Sequence, residues 1–113
     1  MNNELDIFDS EAAIKQAGGD AELADELFGM LVNELPTYKE KIALQCKEND
    51  YTNLLETTHK LNGATRYTGV PALGAAANQL EQAIRGDIIT NYDELCNHLM
   101  DEIQRLKDAY PKK

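Results

Sequence analysis

The 113-residue chain predicts an all-α fold: an antiparallel up-and-down four-helix bundle with a short extra N-terminal helix. Three observations carry this. Runs that alternate with period two are nearly absent, apolar residues recur at helical spacing, and Gly, Pro, Asp and Asn punctuate the pattern at short intervals. Short connections between the last four segments favour antiparallel neighbours. The chain reads as one domain over residues 1–113, with helices at roughly 9–17, 20–48, 50–68, 71–85 and 90–109.

Asp9 or Ser10 can cap the first helix, which holds Ala12, Ala13 and Ile14 and stops at Gly18-Gly19. Asp20 opens the second, where Leu23, Leu27, Met30, Leu31 and Leu35 follow helical spacing. Pro36 falls inside that pattern and should kink or split it, after which Ile42, Leu44 and Cys46 carry it on. The third helix starts near Asp50 and runs through Leu54, Leu55, Thr58 and Leu61 to about Thr68. Gly69-Val70-Pro71 marks a sharp boundary, since glycine suits the position past a helix end and proline the first position of the next. The fourth helix carries Leu73, Ala76, Ala77, Leu80 and Ile84 and ends at Gly86. Thr90 and Asp93 resemble a capping box for the fifth, whose buried stripe is Leu95, Leu99, Ile103 and Leu106.

Composition bounds the function. With 42% hydrophobic and 27% charged residues, the chain has the profile of a soluble globular domain with a single modest core. A formal net charge of −9 argues against nucleic-acid partners and against anionic membrane surfaces, both of which demand clustered Lys and Arg. No apolar run approaches a membrane span and no signal peptide is evident, which points to the cytoplasm. Cys46 and Cys96 stand alone in helical segments. Two free thiols are the expectation, and a structural zinc site has no paired ligand spacing behind it.

The chemistry concentrates at His59. It points away from the stripe of Leu54, Leu61 and Thr65 and shares its face with Leu55, Glu56, Asn62, Gly63 and Arg66. A glycine inside a helix costs roughly 1 kcal/mol relative to alanine, so Gly63 asks for a reason. Here it removes bulk beside the imidazole. Lys60 and Arg66 bring positive charge to an otherwise acidic surface, and the Asn62 amide could donate to an oxygen ligand. Together these suit a histidine that carries a phosphoryl group, because a neutral imidazole is a good nucleophile near pH 7. Spacing alone also allows an ordinary surface histidine. His98, beside Asp101 and Glu102, reads as surface, while Tyr67 and Leu55 could border a docking patch or simply edge the core.

The stretch His59-Lys60-Leu61-Asn62-Gly63, the later Gly69, Leu73 and the Leu80-Glu81 pair resemble the histidine phosphotransfer (HPt) domains of multistep phosphorelays. The Gly69-Val70-Pro71 turn is similar to the HPt domains that end hybrid sensor kinases of the BarA type. The motif core covers about 25 residues, and the helical layout agrees over nearly the whole chain. The family usually places Lys three residues after the histidine. Here that position is Asn62, and Lys60 is left to supply part of the charge.

The resemblance implies a phosphoryl carrier, His59, working between aspartates of response-regulator receiver domains. The Mg²⁺ and the acidic pocket would belong to the receiver, with no cofactor, metal or ATP site of the chain's own. It implies that Glu81 hydrogen-bonds the second ring nitrogen, leaving Nε2 to react. From the residues themselves, the Gly74-Ala75-Ala76-Ala77 run reads as a close helix–helix contact, which could also bring the fourth helix near enough for Glu81 to reach the histidine. A monomer suits successive docking, and a piece of a hybrid kinase anchored in the inner membrane suits the Met1 start better than a free-standing protein. Two rival readings stand beside this one. His59 could be incidental to a non-phosphorylated helical interaction module, or His59 and Glu81 could be the acid–base pair of a small hydrolase, which lacks a nucleophile and an oxyanion arrangement.

Overall fold

A computed structural model of the chain describes residues 5–87 and 91–110. They form five α-helices and, among the described residues, no strand: α1 (Ser10–Gln16), α2 (Ala21–Lys47), α3 (Tyr51–Thr65), α4 (Pro71–Arg85) and α5 (Tyr92–Ala109). The four long helices pack in a ring, α2 on α3, α3 on α4, α4 on α5 and α5 back on α2, while α1 lies against α2. This is the expected four-helix bundle with a short N-terminal helix.

The helix starts follow from side-chain caps. Asp9, Asp20 and Asp50 each accept a backbone N–H three residues on, at 3.0, 3.1 and 3.3 Å, which satisfies a donor that a helix start would leave unpaired. Pro71 opens α4, where a missing N–H costs nothing. The Thr90 of the expected capping box lies outside the described residues. α5 begins after Asn91, which makes no side-chain cap bond.

Pro36 does not split its helix. α2 runs without a break from Ala21 to Lys47, packed on both α3 and α5. The third helix stops three residues before the expected end. Thr68 turns its hydroxyl back to the Ala64 carbonyl at 3.0 Å, and residues 66–69 form a turn that closes on Gly69 in the left-handed region, φ 64°.

The core is aliphatic and continuous through the ring, with Leu35, Ile42, Leu54, Leu61, Leu80 and Leu99 fully enclosed. Three apolar residues of the α2 pattern lie outside it. Leu23, Met30 and Leu44 are exposed, since a 27-residue helix lies against its two neighbours along only part of its circumference. A second apolar cluster closes one end. Phe8, Phe28 and Tyr110 stack with ring centroids 4.4–5.4 Å apart, joining the N-terminal segment, α2 and the residue that follows α5.

The two cysteines correct the sequence expectation. Cys46 and Cys96 form a disulfide, their Cα atoms 6.6 Å apart, which ties the end of α2 to α5 across 50 residues of sequence. Sequence distance hid this pairing, because only the closed ring brings α2 beside α5.

Candidate functional site

The site lies along the α3–α4 seam, and small residues set how close the two helices come. A Cβ on Gly74 would sit 3.1 Å from the Thr65 hydroxyl across the seam, and Ala76 and Ala77 are buried. The run therefore makes a close helix contact, as read from the sequence. Across the seam, the Nδ1 of His59 lies 2.9 Å from Oε2 of Glu81.

The two partners have opposite surroundings. The His59 side chain is 61% exposed and that of Glu81 5%. An unpaired carboxylate so buried would be costly, and this one is fully engaged. Its Oε1 accepts from Asn62 Nδ2 at 2.9 Å. Its Oε2 accepts from Arg85 Nε at 2.9 Å and lies 2.9 Å from Arg85 Nη2 as well as from His59. Burial alone pushes the Glu81 carboxyl up, but hydrogen bonds from Asn62, His59 and Arg85 outweigh it and bring the group down to about 2.

An ionised carboxylate can only accept hydrogen bonds, so the His59 nitrogen facing it must carry the proton. In the neutral ring that fixes the tautomer: Nδ1–H donates to Glu81, and the lone pair lies on Nε2, which points away from the contact.

The remaining predicted residues divide between the two flanks of His59. Asn62 is corrected from an exposed ligand donor to an interior one. It is 7% exposed, and its amide is used on Glu81 and, at 3.3 Å, on Asn78. Its spacing three residues from His59 placed it on the right side of the helix, but α4 covers that side. Lys60 turns the other way, pairing with Glu56 at 3.6 Å and lining a groove of about 420 Å³ between α2 and α3. Arg66 caps the end of α3 and is exposed beside a smaller cleft that also borders α1 and the start of α4. Neither cation makes a recorded bond to His59.

Gly63 and Gly69 serve different ends. A Cβ on Gly63 would meet nothing within 4 Å among the described residues, so their packing does not require glycine there. A Cβ on Gly69 would run into the Asp9 carbonyl and come within 2.7 Å of the Ala13 Cβ. The peptide of Gly69 holds the N-terminal segment, accepting from Asp9 N at 2.7 Å and donating to the Gln16 side chain at 3.0 Å. Sequence reasoning missed Arg85 and Asn78. The four-residue step from Glu81 to Arg85 was the available signal, since it places the two on one helix face.

Among the described residues no cluster of three His, Cys, Asp or Glu could hold a metal ion, and no helix is long and apolar enough to cross a membrane.

Comparison with known proteins places these features in context. The family model "Hpt domain" matches residues 26–109. The sensor histidine kinase GacS of Pseudomonas protegens is 38% identical over 82 residues, covering 73% of this chain and 9% of that protein. The signal transduction histidine-protein kinase BarA of Escherichia coli K12 is 32% identical over 77 residues, covering 68% of this chain and 8% of that protein. The chain thus spans about a tenth of the length of these relatives. The crystal structure of the HPT domain of a sensor hybrid histidine kinase from Shewanella superposes with a TM-score of 0.85 at 30% identity, over 91% of this chain and 89% of that one.

Proposed function

Since the chain belongs to the Hpt domain family, we propose that His59 carries the phosphoryl group in a multistep two-component phosphorelay, on Nε2. The observation that carries this reading is the His59–Glu81 contact: an exposed imidazole whose inner nitrogen donates, at 2.9 Å, to a buried and ionised carboxylate. The contact leaves the outer nitrogen nucleophilic and holds the ring through a hydrogen bond that strengthens as the ring is phosphorylated.

The transfer balances on this geometry. The Nε2 lone pair forms a bond to phosphorus as the P–O bond to a donor aspartate breaks, and the electron pair leaves on that carboxylate. The Nδ1 proton stays between the ring and Glu81. Reversal onto a second aspartate returns the neutral imidazole. Nothing in this sequence of steps asks for a nucleotide or metal on the chain itself. Mg²⁺ and the acidic pocket are assigned to the partner, a response-regulator receiver domain. We place the domain in the cytoplasm as a monomer, working as part of a hybrid sensor kinase.

Gly63 supports the docking part of this reading. Its cost to the helix is offset by no contact among the described residues, which favours the approach of a partner as its use. The test is phosphoryl transfer from a labelled receiver domain. Wild-type chain should take up acid-labile, base-stable label, and His59→Gln should take up none; label retained by the variant, or absent from the wild type with every receiver tried, overturns the assignment. Gly63→Ala adds a second arm. It should raise stability by up to about 1 kcal/mol while slowing transfer, an opposition that a purely structural glycine would not produce.

A further inference from the structure

The oxygen of Glu81 that faces His59 is the same oxygen that faces Arg85. We propose that Arg85 is a positioning residue that neutralises the charge of the Glu81 carboxylate as His59 meets it, keeping the imidazole in the neutral form able to accept a phosphoryl group. This rests on the reading of His59 as the carrier.

A lone carboxylate 2.9 Å from an imidazole does two opposed things. It orients the ring and fixes its tautomer, which helps. It also stabilises the imidazolium, whose Nε2 has no lone pair and cannot attack phosphorus. Glu81 therefore needs its hydrogen bond without the whole of its field. Arg85 supplies this separation. Its guanidinium is always charged, and it lies 2.9 Å from Oε2 through both Nε and Nη2, four residues along the same helix. The pair presents His59 with a directional acceptor whose net charge is near zero. Asn62 holds the other oxygen and fixes the carboxylate without changing that balance.

The other charges around the ring leave this balance with α4. On α3, Glu56 and Lys60 pair with one another, and Arg66 stands at the helix end. From α2, Glu34 and Lys41, one of each sign, line the groove that Lys60 and Glu56 also border. From α4, Glu81 contacts the ring and Arg85 contacts Glu81.

The test uses four chains: wild type, Arg85→Gln, Arg85→Lys and the double variant Glu81→Gln with Arg85→Gln. Two readouts are taken on each. One is the rate of label uptake from a phosphorylated receiver between pH 5.5 and 8.5. The other is an NMR titration of the His59 ring, which needs no phosphoryl transfer. In Arg85→Gln the uncovered carboxylate should move the acid limb of the rate profile and the ring's titration midpoint to higher pH by about half a unit or more. Uptake then falls several-fold at pH 6 and little at pH 8. Arg85→Lys should lie between this variant and the wild type. The double variant should return the midpoint toward the wild-type position, at whatever maximal rate the loss of Glu81 leaves, because a neutral amide needs no counter-charge. An Arg85→Gln profile that keeps its wild-type midpoint, or a double variant whose midpoint stays with that of the single one, overturns the proposal. Failure of the carrier reading looks different: the wild type itself then takes no label at any pH, while the ring titration still decides the role of Arg85.

Discussion

At the scale of single residues, the buried Glu81 controls more than the orientation of His59. Its carboxyl is lowered from an ordinary 4.5 to about 2 in the folded chain by hydrogen bonds that outweigh burial. A group depressed in this way contributes stability that is complete above its unfolded value and is lost as pH falls through its folded one. Between about pH 4.5 and about pH 2 the fold should therefore lose on the order of 3 kcal/mol from this group. Urea unfolding of the wild type and Glu81→Gln at pH 7, 4 and 3 checks this: the advantage of the wild type should shrink across that range, and an advantage independent of pH would refute it. The histidine, the glycine beside it and the carboxylate were legible in the sequence because they form a motif with fixed spacing. The clamp around the carboxylate was not. Asn62 was read as outward-facing, because helical spacing tells which residues share a side but not which neighbouring helix covers it.

Among the elements, α1 shows how a turn can depend on a distant segment. Gly69 ends the α3–α4 turn with φ 64°, and its missing side chain leaves room for the Asp9 carbonyl and Ala13. Gly69→Ala would meet both the conformational penalty and the backbone of the N-terminal segment, and should cost about 2–4 kcal/mol. Thermal unfolding should show this loss, and hydrogen exchange should show the earliest opening at α1; a loss no larger than that of a surface substitution would contradict the contact. Sequence punctuation located this turn well, since glycine and proline each have a positional reason there. At Pro36 it left a split open, and there one continuous helix, packed on α1, α3 and α5, runs through a residue that disfavours it. Apolar spacing alone did not show that Leu23, Met30 and Leu44 of α2 are exposed.

Across the whole molecule, the disulfide encloses both working helices. The loop between Cys46 and Cys96 contains all of α3 and α4, and therefore His59, Gly63, Glu81 and Arg85. Closing a loop of 50 residues is worth about 4 kcal/mol if the effect is entropy removed from the unfolded chain. Reduction by a dithiol, or replacement of both cysteines by serine, should lower the stability measured in urea by up to that amount. The rate of label uptake should stay unchanged, since neither sulfur lies in the site; equal stability with and without reductant would show that the bond does not form in solution. The bundle itself was legible from caps and apolar spacing. This cross-link was not, because no local pattern records which helices become neighbours when a ring closes.

The contacts of the N-terminal segment bear on where such a domain can be cut. The family match begins at residue 26, within α2, yet Asp6, Asp9 and Gln16 are hydrogen-bonded to the turn at Gly69 and the first residues of α4. A fragment trimmed to the matched residues would keep every group that handles the phosphoryl transfer and lose the strap across the α3–α4 turn. The piece that holds itself together thus starts before the family match, and excision boundaries for this protein belong upstream of Asp6.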